Sequence, residues 1–252
     1  MRFLLATLIF VVFTVPSVAQ VPSSCLTGLL KRGNPDQAIK LNTNCIEESD
    51  ERAPYLSSIY VARGQMYLLK RQIDRAIHNF DDAIRINPQN IIAVLSRGHA
   101  YLRSGKLDEA AWDFDQAVRL KPSNDRVYGG RGLAFYFKRK YRRAIEDFTK
   151  AIELRTIEKF AKGTKRKPNA GGNYGNRGDA YFRLRRYDLA IKDYDNAIPL
   201  KRKNASAYRN RGFANYFLGK NDRAADDFRN AARLAPSDHY AIIWLSIVSA
   251  RI

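Results

Sequence analysis

The chain has 252 residues, 45% of them hydrophobic, and 44 Lys and Arg against 25 Asp and Glu give a formal net charge of +19. That apolar content can bury a large core, and that charge draws anionic partners: nucleic acid, anionic lipid headgroups or acidic proteins. An excess of this kind can also do no more than keep an elongated protein soluble.

Arg2 precedes an apolar run from Phe3 to Val15, and Pro16-Ser17-Val18-Ala19 comes next. The 13-residue run is shorter than the roughly 18 residues that cross a bilayer. Small Ser17 and Ala19 suit a processing site. The pattern predicts a signal peptide over 1–19, with an uncleaved anchor as the alternative. No later segment is apolar enough to cross a membrane. The expected location is therefore outside the cytoplasm, periplasmic or secreted, where nucleic acid is a poor partner. The two cysteines, Cys25 and Cys45, then suggest one disulfide; two buried thiols are the alternative.

Residues 20–56 read as a degenerate helical repeat, with Gly33, Ala38 and Cys45 in the register of the later repeats. Gly33-Asn34-Pro35 marks a turn and a helix start. Cys25 and Cys45 fall on facing sides of the resulting hairpin, as a disulfide needs.

From residue 57 the chain is periodic. Arg63-Gly64, Arg97-Gly98, Arg131-Gly132, Arg177-Gly178 and Arg211-Gly212 place their glycines 34, 34, 46 and 34 residues apart. Ala76, Ala110, Ala144, Ala190 and Ala224 keep step, as do Phe80, Phe114, Phe148, Tyr194 and Phe228, and Ala83, Ala117, Ala151, Ala197 and Ala231. Such combs in phase mean a repeat array whose core is a stripe between stacked units. Each repeat reads as two helices. In the first, Ser57 to Leu69 carries Tyr60, Gly64 and Tyr67; a basic turn comes next; then Ile73, Ala76, Ile77, Phe80, Ala83 and Ile84 recur three and four apart. Asn87-Pro88 ends the pair, and Pro122 and Pro236 do the same in theirs. The glycine lets the partner helix approach, and the aromatic fills the volume beyond.

A 34-residue period with Gly eighth, Tyr or Phe eleventh, Ala twentieth, an aromatic twenty-fourth, Ala twenty-seventh and Pro thirty-second resembles the tetratricopeptide repeat family, in a bacterial exported form. Three repeats cover 57–158 and two cover 171–238. Thr156 and Arg202 replace the late proline, and Asn215 the eleventh-position aromatic. The resemblance implies an all-α, right-handed superhelical solenoid of antiparallel helix pairs. The 12 residues 159–170, rich in Lys and Arg, form a basic insertion that extends the preceding helix or loops out. Residues 239–252 start a sixth repeat and stop. They read as a C-terminal capping helix, apolar nearly all round, one side of which can serve self-association.

No catalytic pattern emerges. His78, His99 and His239 lack metal-ligand spacing, and there is no phosphate loop, nucleophile elbow or HExxH. Gly129-Gly130 and Gly171-Gly172 read as helix irregularities or ends. No enzyme, cofactor, metal or small-molecule substrate is expected.

Two surfaces suit binding. The family uses its first helices to line a concave groove. By that resemblance the groove residues are Arg126, Leu133, Tyr136 and Phe137 in the third repeat, Asn176, Asp179, Phe182 and Arg183 in the fourth, and Arg209, Asn210, Phe213, Tyr216 and Phe217 in the fifth. Aromatic platforms with Asn and Arg between them suit a peptide. The Lys and Asn clamp of the family's chaperone-binding members is absent: Gly129/Leu133 and Arg209/Phe213 stand there, for example. The second surface is a basic edge made by the turns within each pair: Lys70 and Arg71, Arg103 and Lys106, Lys138, Arg139 and Lys140, Arg183, Arg185 and Arg186, and Lys220. The recurrent arginines of the Arg-Gly pairs instead face Asp113, Asp147, Asp193 and Asp227, with Asn79 in the first repeat, and predict a structural ladder. Together these features predict a non-catalytic scaffold or adaptor of a bacterial cell envelope that binds partner peptides in the groove. The alternative is a peripheral binder of anionic lipid or polymer through the basic edge; nucleic-acid binding stands behind both.

Overall fold

The computed structural model describes Pro22, Cys25 and residues 34–161, 170–200 and 204–252, with 159–161 by backbone alone. The predicted signal peptide 1–19, Gly33 and most of the insertion 159–170 lie outside the described residues. Every regular element among the described residues is an α-helix, arrayed in stacked pairs. The chain divides after Ala93 into two compact units.

The first unit holds α1 (Pro35–Glu47), α2 (Leu56–Leu69) and α3 (Ile73–Ile86). Pro35 opens α1, where its missing N–H is no loss, and the Asn34 side chain accepts from Gln37 N. Cys25 and Cys45 are joined in a disulfide with Cα atoms 5.1 Å apart, buried against Ile59. Ser57 Oγ donates to the Ala83 carbonyl at 2.8 Å and so ties the start of α2 to the end of α3.

Next comes α4 (Ile91–Ser104), then α5 (Leu107–Leu120), α6 (Asp125–Phe137), α7 (Tyr141–Ala161), α8 (Gly171–Arg183), α9 (Tyr187–Leu200), α10 (Ala205–Phe217), α11 (Asn221–Leu234) and α12 (His239–Ser249). Asn124, Asn204 and Asp238 cap α6, α10 and α12 through their side chains. Where Pro122 and Pro236 stand just beyond their helices, Thr156 leaves α7 free to run on to Ala161, its hydroxyl donating back to the Ile152 carbonyl.

Close approach at glycine organises each pair. A Cβ on Gly132 would lie 2.7 Å from the Phe148 ring, and one on Gly64 2.6 Å from Phe80. These rings are fully buried. Gly130 departs from its sequence reading: it sits inside α6, where a Cβ would come within 2.3 Å of Phe114 of the preceding pair. It is a packing contact between repeats, not a helix end.

The turn within each pair is a Schellman cap. In the first, Gln72 N donates to the Tyr67 carbonyl and Arg71 N to the Leu68 carbonyl; Lys140 and Arg139, and Arg186 and Arg185, repeat the pattern. The residue between must turn left-handed. Gly105 and Gly219 do so with φ of 77° and 71°, but Arg71, Arg139 and Arg185 hold the same position at 59°, 57° and 58°. A side chain there costs about 1–2 kcal/mol that glycine does not.

Candidate functional site

In the second unit the first helices of successive pairs line a cleft of about 670 Å³. Residues four apart share a helix face. Thus α8 presents Asp179 and Arg183 with Phe182, α10 presents Arg209, Phe213 and Phe217 with Asn210, and α12 adds Tyr240 and Trp244. Tyr136 of α6 closes one end, and Tyr194 of α9 reaches in from behind.

The floor is polar. Tyr194 donates its hydroxyl to Asp179 Oδ1 at 2.7 Å, and Asn210 Nδ2 donates to the same oxygen at 2.8 Å. Asp179 Oδ2 keeps an open acceptor position among the described residues. Burial pushes the Asp179 carboxyl up, opposed by those two hydrogen bonds and by the charges of Arg183 and Arg209. Burial and the adjacent Asp179 push the Tyr194 hydroxyl up as well, so it remains a donor. Arg209 Nη1 pairs with Asp238 Oδ2 at 2.6 Å and ties α10 to the start of α12. Arg183 Nε donates weakly to the Tyr136 hydroxyl at 3.3 Å.

The walls are aromatic. Phe182 meets Phe217 edge-on at 5.9 Å, and Trp244 meets Phe213 at 5.2 Å. Trp244 and Leu245 also pack over Ala224, Ala225 and Phe228, so α12 covers the end of the last pair. Ile242, Ile243 and Ile247 of α12 stay exposed.

Eight of the thirteen groove residues read from the sequence line this cleft; Arg126, Leu133, Phe137, Asn176 and Tyr216 do not. Tyr216 turns instead to Trp244, and its hydroxyl accepts from Arg251 at 2.6 Å. Phe137 ends α6 and is 54% exposed. Tyr194, Tyr240 and Trp244 were missed. One signal pointed to the first: Tyr194 is the single tyrosine in a comb of phenylalanines. Its hydroxyl needs a partner, and Asp179 supplies it.

The turn residues fall into two groups. Lys70, Lys138 and Lys220 pair with Asp36, Asp108 and Asp188, and Lys106 lies over the Tyr101 ring. Arg71, Arg139, Lys140, Arg185 and Arg186 are exposed. Arg183 departs from the edge reading, because its place one turn beyond Asp179 carries it into the cleft. His99 packs edge-on against Phe114, and burial, with the charge of Arg126, pushes its imidazole down. No group of three or more potential metal ligands occurs among the described residues, and no helix there is long and apolar enough to cross a membrane.

Tetratricopeptide-repeat models match residues 57–90 and 125–156, and TPR-repeat models match 98–138 and 178–219, together more than half of the chain. The chain belongs to the tetratricopeptide-repeat family. TPR repeats generally mediate protein–protein interaction and are typically non-catalytic. No curated protein sequence matches this TPR chain. Solved structures match its fold. The APC/C hetero-tetramer Cut9–Hcn1 does so with a TM-score of 0.74 at 17% identity, over 89% of this chain and 42% of that one. The chain thus spans less than half the length of that relative. Pseudomonas aeruginosa PilF matches with a TM-score of 0.71 at 20% identity, over 88% and 95%. YrrB, described as a TPR protein with an unusual peptide-binding site, matches with 0.58 at 18%, over 80% and 95%.

Proposed function

We propose that this TPR protein is an exported adaptor of a bacterial cell envelope, and that its cleft holds a peptide segment of a partner protein. The observation that carries this is the combination at the cleft floor and walls. Among the described residues Asp179 keeps one carboxylate oxygen open, in a cleft lined by rings from α8, α10 and α12. Backbone amides of an extended segment can donate to that oxygen, and apolar side chains can enter between Phe182, Phe217 and Trp244. The volume accepts a few side chains, not a folded domain. YrrB, with its unusual peptide-binding site on the same fold, supports the reading. The apolar run Phe3 to Val15 and the Cys25–Cys45 pair support export.

The test uses immobilised protein and solubilised envelope. Phe182→Ala/Phe217→Ala should lose the captured protein while keeping its thermal midpoint. Capture that survives in this folded variant places the partner elsewhere. Trp244 gives a second readout: in a Trp112→Phe background, a peptide from the captured partner should change its fluorescence. Fractionation of cells tests export separately.

A further inference from the structure

The second unit carries another surface at the turns of its helix pairs. Arg142 and Arg186 line one crevice of about 520 Å³, floored by Ile145, Tyr181 and Leu184, with Glu146 on its rim. Arg185 and Arg186 line the next, of about 330 Å³, with Tyr187, Asp188, Leu189 and Leu218. These shared crevices put the turns α6–α7, α8–α9 and α10–α11 on one edge.

Three observations converge there. First, Arg139 and Arg185 stand in left-handed backbone where Gly105 and Gly219 serve the same turn, so the fold itself has no need of arginine. Strain kept at an exposed position points to a use for the side chain. Second, the guanidinium groups of Arg139, Arg185 and Arg186 make no ion pair among the described residues, whereas Lys138, beside Arg139, engages Asp108, and Asp188, two residues after Arg186, is engaged by Lys220 of the next turn. Third, exposed rings flank them. Phe137 is 54% exposed two residues before Arg139; Phe217 is 52% exposed and stacks at 5.2 Å on Tyr187, which lines the second crevice.

We propose that this edge docks on an anionic phospholipid surface. A row of unpaired guanidinium groups suits phosphate oxygens, which they bind bidentately. The adjoining exposed rings suit the boundary between headgroup and acyl chain. A soluble polyanion satisfies the arginines but leaves the rings in water, so the lipid surface is the better match to both. The chain's formal charge of +19 favours the encounter.

The test is cosedimentation of the full chain with phosphatidylcholine vesicles, alone or containing phosphatidylglycerol. Binding should require phosphatidylglycerol and weaken with salt. Arg139→Gly/Arg185→Gly should lower the partition by about fivefold per arginine, while its thermal midpoint holds or rises because glycine relieves the turn. Arg139→Lys/Arg185→Lys, which keeps the charge, should retain most of the binding. Phe137→Ser, which leaves the cleft rings in place, should weaken vesicle binding but not binding to polyphosphate. Equal binding to both vesicle types overturns the proposal. So does undiminished binding by the glycine variant, a fall in that variant's midpoint, or a Phe137→Ser variant that binds vesicles as well as the parent, which leaves a soluble polyanion or acidic protein as the occupant.

Discussion

Arg131 donates Nε and Nη2 to the two carboxylate oxygens of Asp147, at 2.9 and 2.7 Å, and Nη1 to Asp115 of the preceding pair at 2.8 Å. One guanidinium thus ties its own helix pair to the one before. Arg211 does the same with Asp227 and Asp195, while Arg177 grips Asp193 and turns its third nitrogen to Thr149. The three guanidinium groups lie over Tyr128, Tyr208 and Tyr174 in turn. These arginines are scaffold, not a binding comb.

Removing one partner strands the other. Asp147 is nearly buried and Arg131 mostly so. Arg131→Ala should cost about 3 kcal/mol in urea unfolding, because the carboxylate loses its counter-charge. Arg131→Met/Asp147→Leu should recover most of that loss. A double variant as unstable as the single one contradicts this account.

Glycine positions that look alike in sequence should behave oppositely. Gly132→Ala drives a methyl into Phe148 and should cost about 1–3 kcal/mol. Gly175→Ala, in the same kind of helix, meets nothing within 4 Å and should stabilise by about 0.5–1 kcal/mol. Thermal melts of the two variants check the contrast.

Asp179 gives a pH signature. Burial, the largest influence, raises its carboxyl pKa in the folded state. The folded state therefore holds the proton more tightly than the unfolded chain. The stabilisation is present at low pH and is lost as pH rises through the folded value. Asp179→Asn keeps an acceptor for Tyr194 and Asn210 without the charge. Its melting midpoint should exceed the parent's at neutral pH, and the gap should close as pH falls toward the ordinary carboxyl range. Asp147, Asp193 and Asp227 shift in the same direction but are common to both proteins.

The disulfide closes a loop of 20 residues, which corresponds to about 3 kcal/mol in the chain-entropy account. Reduction should lower the unfolding midpoint. Differential scanning calorimetry with and without reductant checks this.

The periodic part of this molecule was readable because each repeat solves the same packing problem. Gly64, Gly98, Gly132, Gly178 and Gly212 each face a large ring, and a ring sixteen residues on cannot be hidden from a 34-residue period. The Arg131–Asp147 spacing was legible for the same reason. The polar floor of the cleft was not. Asp179, Tyr194 and Asn210 come from three helices, 15 and 31 residues apart, and nothing local demands that they meet. Tyr216 was assigned to the groove by position, but its ring had Trp244 to pack against instead.

The sequence by itself determined the helix pairs and the small-against-large contacts, because these depend on spacing along one helix and its neighbour. Tertiary structure alone decided three things. It selected which first-helix residues share a cleft, since that depends on how successive pairs stack. It showed that Gly130 receives Phe114 from the pair before. It also revealed left-handed backbone beneath Arg71, Arg139 and Arg185, because a basic turn reads the same in sequence whether its arginine is relaxed or strained.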